Sequence, residues 1–299
     1  MKEPVYISVV LCTYNDERYI KSSVDSILNQ TYPYFELIIV NDGSTDNTFT
    51  ILKQIEDERI RIINKPNTGL ADSLNEGVKA AKYQWIARMD GDDISLPNRL
   101  EVQIKLIDSG ASVIGGQFYV IDENSKYKSK MPSNNPLSPL RSKLYVMLGW
   151  NPLAHPSALI SKNALSMVGG YDPNFSASQD MDLWFRISKK HKIINTKEVV
   201  LLYRKHSNNI SNGRKDIQIK MAFIAYIKRA LGINRVLSPN EFRILQENQL
   251  ISSLICKNHD YVKGLEGLKS IKRALVLVRY YAWRFWIFVR LSNTKITFE

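Results

Sequence analysis

Between Val5 and Met89, short apolar runs alternate with segments of helical period, an arrangement that points to a parallel sheet covered by helices. Val5 to Leu11 reads as a strand. Ile20, Val24, Ile27 and Leu28 recur at i, i+4, i+7 and i+8, one helical stripe, and Tyr32-Pro33 ends it. Phe35 to Val40 is the next strand. After the turn Asn41-Asp42-Gly43-Ser44, a helix from near Asp46 leads to a strand over Arg59 to Ile63. Leu70, Leu74 and Val78 mark a further helix and Trp85 to Met89 a fourth strand, which completes a βαβαβαβ unit.

The pattern is then mixed. It predicts a helix from Pro97 to Ser109, strands near 112–121 and 155–160, a loop rich in Pro, Ser and Asn at 131–139, and a helix from Met181 to Lys190. From residue 214 onward the chain reads as helical and basic, with 16 Lys and Arg against 6 acids. Hydrophobic residues at 44% and charged residues at 23% are globular averages, which excludes disordered, collagen-like and disulfide-scaffold classes. Of the two cysteines, Cys12 lies inside an apolar run, so no disulfide framework is expected. The first apolar stretch is interrupted too soon by Thr13, Asn15 and Asp16 for a signal peptide, and the expected location is the cytoplasm.

The formal charge of +12 is unevenly spread. Residues 1–100 hold 11 Lys and Arg against 15 Asp and Glu, a balance of −4, and the remainder holds 30 against 14, a balance of +16. The two halves therefore face different partners. Ligands of doubly wound sheets bind beyond the carboxyl ends of the parallel strands. Here those ends carry Thr13-Tyr14-Asn15-Asp16, Asn41-Asp42-Gly43-Ser44-Thr45-Asp46 and Asp90-Gly91-Asp92-Asp93. Like charges at 4 Å repel by about 1 kcal/mol even in water, so a cluster of this kind calls for a cation. Asp90-Gly91-Asp92 offers two hard oxygen ligands that suit Mg²⁺ or Mn²⁺ bridging a diphosphate. A second reading has Asp90 to Asp93 as a turn that caps the following helix. The glycine-rich fingerprints of dinucleotide and P-loop sites are missing, so phosphate must be held in another way.

Val9-Val10-Leu11-Cys12-Thr13-Tyr14-Asn15, Val40 to Asp46, Asn67-Thr68-Gly69-Leu70 with Asn75-Glu76-Gly77, and Met89 to Asp93 together resemble the ordered motifs of the family-2 glycosyltransferases, over roughly residues 5–210. The resemblance implies the GT-A form of α/β fold, with a mostly parallel central sheet. It implies a catalytic domain over 1–213, with a nucleotide-binding half (1–110) and an acceptor-binding half (111–213), and the helical, basic pattern beyond it makes 214–299 a C-terminal helical extension. The implied reaction moves a sugar from a UDP-sugar to an acceptor hydroxyl with Mn²⁺ or Mg²⁺.

Carried over by position, Thr13, Tyr14 and Asp42 would surround the base, with Asp16 and Asn67 in the same nucleotide-side turns. Asp90 would face the ribose and Asp92 the metal. Arg88 and Lys65 would assist phosphate or else be exposed cations. Ser178-Gln179-Asp180 is similar to the family's acidic motif, with Gln179 where Glu is usual, and makes Asp180 the catalytic base. Asp180 as a helix cap is the alternative. One base opposite a good leaving group implies inversion, an α-linked donor giving a β-linked product. His206 resembles a late element that reaches the metal, against an ordinary surface or core histidine. His155-Pro156-Ser157 matches a segment near the acceptor.

Ile271 to Leu291 is apolar and aromatic, but Lys272, Arg273, Arg279, Arg284 and Arg290 interrupt it, so it suits the headgroup plane better than a span. Packing on the catalytic domain is the other reading. Membrane contact through 270–291, on the inner face of the cell membrane, would fit a lipid-linked or glycan acceptor from cell-surface polysaccharide synthesis. Two other classes fit less well. A nucleic-acid binder would carry a recognised motif, and none is present. A sugar nucleotidyltransferase would carry a glycine-rich loop where Thr13 to Asp16 stand. Asp180 argues against a relative that only binds sugar nucleotides.

Overall fold

The computed structural model describes residues 3–129, 133, 135, 137–148, 150–207 and 215–247. The segment 270–291, with its expected membrane contact, lies outside them. The N-terminal half follows the expected alternation: β1 (Ile7–Thr13), α1 (Ile20–Leu28), β2 (Phe35–Asp42), α2 (Thr48–Lys53), β3 (Ile60–Lys65), α3 (Leu70–Ala80) and β4 (Trp85–Asp90). These four strands are parallel, in the order β3-β2-β1-β4. Their carboxyl ends lie in line, because Cys12 is paired with both Val40 and Asp90, and Asp42 with Lys65.

Every residue of β1 and β2 is buried, as a parallel sheet covered on both faces requires. Side chains alternate between the faces. Val10, Cys12, Ile38 and Val40 join Leu74 of α3 in one apolar cluster. Val9, Leu11, Leu37 and Ile39 join Ile20, Val24 and Ile27 of α1 in the other. Each such side chain contributes roughly 1.5–3 kcal/mol on burial. Gly77 lets α3 lie this close, since a Cβ there would fall 2.4 Å from a methyl of Val10.

The second half completes an eight-stranded sheet ordered β3-β2-β1-β4-β7-β6-β8-β5. β5 (Ile94–Ser95), α4 (Arg99–Ile104) and β6 (Ala111–Ile121) precede α5 (Pro139–Leu148), β7 (Leu159–Ser161), α6 (Lys162–Met167), α7 (Gln179–Ile187) and β8 (Lys192–Arg204). β6 and β8 are parallel to each other, while the short β7 and β5 run antiparallel to their neighbours. β8 is 13 residues long and was not predicted. Its centre, Asn195-Thr196-Lys197-Glu198, is polar, and the register shifts there: Gly115 pairs with Asn195 but Gln117 with Val199.

Two more helices, α8 (Lys215–Ala230) and α9 (Pro239–Glu247), follow. α8 buries Phe223, Ile224, Tyr226 and Ile227 in the same cluster that holds Leu183 and Trp184 of α7. Lys228, 1% exposed, puts its Nζ 2.8 Å from Asp172 and 2.9 Å from Asp182, and Asp182 also accepts from Arg186 Nε at 2.8 Å. Two buried cations thus balance two buried carboxylates between α7 and α8. Replacing Lys228 by Met leaves one more carboxylate than cations in that interior. The expected loss is about 3–5 kcal/mol of unfolding free energy, read from the urea midpoint of the Lys228→Met variant.

Candidate active site

The turns after β1, β2 and β3 are tied to one another by side chains. Asn15, in the left-handed region at φ 57°, accepts from the Thr45 amide at 2.8 Å, and its own amide donates to Ser44 Oγ at 3.0 Å. The amide of Asp16 donates to Thr48 Oγ1 at 2.8 Å. Asp42 accepts from the amides of Thr68 at 3.0 Å and Gly69 at 2.9 Å and is ion-paired with Lys65. Burial alone would raise the Asp42 carboxyl, but these donors hold it below its ordinary value. Thr13 is buried and donates to Asp16 Oδ2 at 2.7 Å, whereas Tyr14 and Asn67 are exposed at the rim.

The end of β4 is the electrostatic centre. Carboxylate oxygens of Asp90, Asp92 and Asp93 lie within 4.8 Å of one another. Asp16 joins them across Gly91, where a Cβ would sit 2.5 Å from Asp16 Oδ2 and 2.7 Å from Thr13 Oγ1, so only glycine permits this approach. Asp90 is ion-paired with Arg88, and Asp92 Oδ2 lies 2.9 Å from His206 Nε2. Burial, then the charge of Asp92, pushes Asp16 up to about 7. Burial pushes Asp90 up to about 6 against the pull of Arg88, with Asp92 adding to the rise. Asp93 is raised by burial and by both neighbours, and its Oδ2 is buried without a hydrogen bond among the described residues.

A divalent cation fits these residues. Hard carboxylate oxygens crowd together, one buried oxygen is left over, and a single imidazole adjoins them, a donor set for Mg²⁺ or Mn²⁺. Arg88 is 2% exposed and Lys65 is paired with Asp42, so neither is the exposed surface cation that the sequence allowed.

β8 delivers His206 to the end of β4. Arg204, 1% exposed, donates from its backbone amide to Asp93 Oδ1 at 2.7 Å and from Nε to the Asp92 carbonyl at 2.7 Å. The same guanidinium donates to Ser125 Oγ at 2.9 Å and stacks 4.6 Å above the Tyr19 ring, which in turn lies 4.9 Å from the His206 ring. Arg204 was not singled out in the sequence. Its signal was a cation closing an apolar strand, and the strand itself was not legible.

Asp180 is placed by α7. Ser178, at φ 56°, turns the chain into α7, and Asp180 lies in the first helical turn. Its Oδ1 accepts from the Met181 amide at 2.9 Å and its Oδ2 from Asn151 Nδ2 at 3.1 Å. Burial raises this carboxyl, while the Met181 amide, Arg88 and Asn151 hold back the rise. The charge of Asp180 adds slightly to the rise of Asp90, and the charge of Arg88 counters the rise of both. His155 is buried, with Nε2 2.8 Å from Tyr171 Oη, and burial and the charge of Arg88 keep it neutral. Asn151 carries no signal in the sequence.

Residues 8–167 match the model of Glycosyl transferase family 2. The chain belongs to that family. It is 30% identical over 275 residues to an uncharacterized glycosyltransferase of Haemophilus influenzae, covering 83% of this chain and 84% of that protein. It is 35% identical over 214 residues to the O-antigen biosynthesis glycosyltransferase WbnJ of Escherichia coli, covering 68% and 81%. Among solved structures, S. aureus TarS 1-349 in complex with UDP-GlcNAc superposes with a TM-score of 0.64 at 16% identity, over 96% of this chain and 84% of that one. A mannosyltransferase from Pyrobaculum calidifontis in complex with GDP-Man and Mn²⁺ gives 0.58 at 16%, over 96% and 85%. The structural likeness shows the fold, which is GT-A. This glycosyltransferase is therefore an enzyme that transfers a sugar.

Asp16 makes the acidic edge sensitive to pH. Between about pH 4 and 7 the unfolded chain releases a proton that folded Asp16 keeps, so stability from this group falls as pH rises through that window. Metal-free Asp16→Asn should then melt a few degrees above the unaltered chain at pH 8, with the gain vanishing near pH 4. Melting curves in a chelator across that range check it.

Proposed function

We propose that this glycosyltransferase moves a sugar from a UDP-sugar to an acceptor hydroxyl by single displacement with inversion, with Asp180 as general base. The observation that carries the reading is the acidic edge itself, where carboxylate oxygens of Asp90, Asp92 and Asp93 lie within 4.8 Å of one another and His206 adjoins Asp92. Asp92 and His206 would hold Mn²⁺ or Mg²⁺, with Asp16, Asp90 and Asp93 beside them. When bound, the ion would neutralise the charge that develops on the departing diphosphate.

The chain's own residues do the rest. Asp42, held by Lys65 and the amides of Thr68 and Gly69, fixes the turn that lies around the base, with Thr13, Tyr14 and Asn67 beside it. Asp90 faces the ribose, and Arg88 limits the charge between Asp90 and Asp180. Asn151 and the Met181 amide orient the Asp180 carboxylate, and burial gives it a proton affinity nearer that of its task. His155 and Tyr171 support the acceptor side from the interior. The working unit of this reading is 1–213, and the extension from 214 braces α7 through Lys228.

The names of the relatives support a polysaccharide destination. WbnJ is an O-antigen enzyme, and a chondroitin synthase of Pasteurella multocida is 29% identical over 274 residues, 89% of this chain and 27% of that protein. The acceptor is accordingly read as a glycan or a lipid-linked glycan, met at the inner face of the cell membrane. No helix among the described residues is long and apolar enough to cross a membrane.

A panel of UDP-sugars with Mn²⁺, scored for release of UDP, tests the assignment. Asp180→Asn should lower kcat by about 10²–10⁴-fold while UDP still binds. Asp92→Ala should abolish metal-dependent UDP binding as well as turnover. Activity that survives in both variants overturns the site.

A further inference from the structure

Helix α5 is apolar on both sides. Ser142 and Val146 are buried inward, where α5 packs against α7 and β8. Leu140 at 78%, Leu144 at 50% and Met147 at 48% exposure recur at i, i+4 and i+7, a continuous outward stripe. Leu137 before the helix and Trp150 after it are exposed as well. Isolated apolar side chains on a surface need no explanation, but five within 14 residues form a patch that water does not favour.

The surrounding charge names the occupant. At about 100° per residue, Arg141 lies on one flank of the stripe and Lys143 on the other, both exposed. From Asn124 to Tyr171 the sequence has six Lys and Arg and not one acid. An apolar stripe between cations, ended by Trp, is the pattern of a helix lying in a lipid headgroup plane. A second copy of the same face would set Arg141 and Lys143 against their equals, and the chain's own segment 271–291 brings five further cations.

We propose that α5, with Leu137 and Trp150, docks the enzyme on an anionic lipid surface. The stripe lies close to the catalytic edge, since Asn151 follows Trp150 directly and hydrogen-bonds Asp180. A lipid-carried acceptor would then meet the base without leaving the membrane, a consequence that rests on Asp180 being that base. The docking itself does not.

Co-sedimentation of the full chain with vesicles of phosphatidylcholine, alone and mixed with phosphatidylglycerol, tests this. The unaltered chain should partition onto the mixed vesicles. Leu140→Ser/Leu144→Ser/Met147→Ser should partition about tenfold less. Arg141→Gln/Lys143→Gln should lose the preference for phosphatidylglycerol. Retained UDP binding shows that the variants fold, and Leu140→Gln alone, at the most exposed position, serves if the triple variant does not. Equal partitioning of the altered and unaltered chains overturns the proposal. So does a change from dimer to monomer on substitution, which would assign the stripe to a second copy. Loss of transfer with vesicle binding intact in Asp180→Asn concerns the base alone.

Discussion

The repulsion among Asp16, Asp90, Asp92 and Asp93 at one edge of the sheet is the constraint around which the structure is arranged. Four acids are held together although burial and their mutual charge raise Asp16, Asp90 and Asp93. A fold seeking stability alone would separate them, and costs of this sort are retained where function needs them. Backbone geometry imposes the crowding: β1 and β4 are adjacent and parallel, so their turns open at the same edge, and Gly91 removes the last steric barrier between them.

The second half of the chain serves that edge. β8 runs the length of β6 and carries Arg204 and His206 to Asp92 and Asp93, with the Tyr19 ring against both side chains. α7 carries Asp180, and the buried pairs of Asp182 with Arg186 and Lys228 hold that helix in place. The turn after β3 is fixed for a related reason. Asp42 spends its acceptors on the turn before α3, which fixes the loop that would surround the base.

Legibility in the sequence followed burial. β1, β2 and β4 and the helices over them could be read because buried strands are continuous apolar runs and covering helices keep one stripe, while β3, at the sheet edge, was marked by its isoleucines alone. β8 could not, because Asn195 to Glu198 interrupt it where the pairing shifts and the strand bulges. The acids were legible as residues, but not what pairs with them. Arg88 and Lys65 read as phosphate ligands or exposed cations, and the fold pairs them with Asp90 and Asp42. Asn151 and Arg204 act through positions that only tertiary structure creates, and Lys228 reads as one more basic residue in a basic tail. The stripe on α5 was hidden for the opposite reason, since a helix apolar on both faces shows no amphipathic period.

The central claim is that the acidic edge is a cation site on which a nucleotide diphosphate docks. Anomalous diffraction from a crystal grown with UDP and Mn²⁺ tests it most directly. The account predicts one manganese peak within bonding distance of Asp92, with the diphosphate beside it and the base against Thr13 and Asp42. A nucleotide bound elsewhere, or at this edge with no manganese on Asp92, would contradict it.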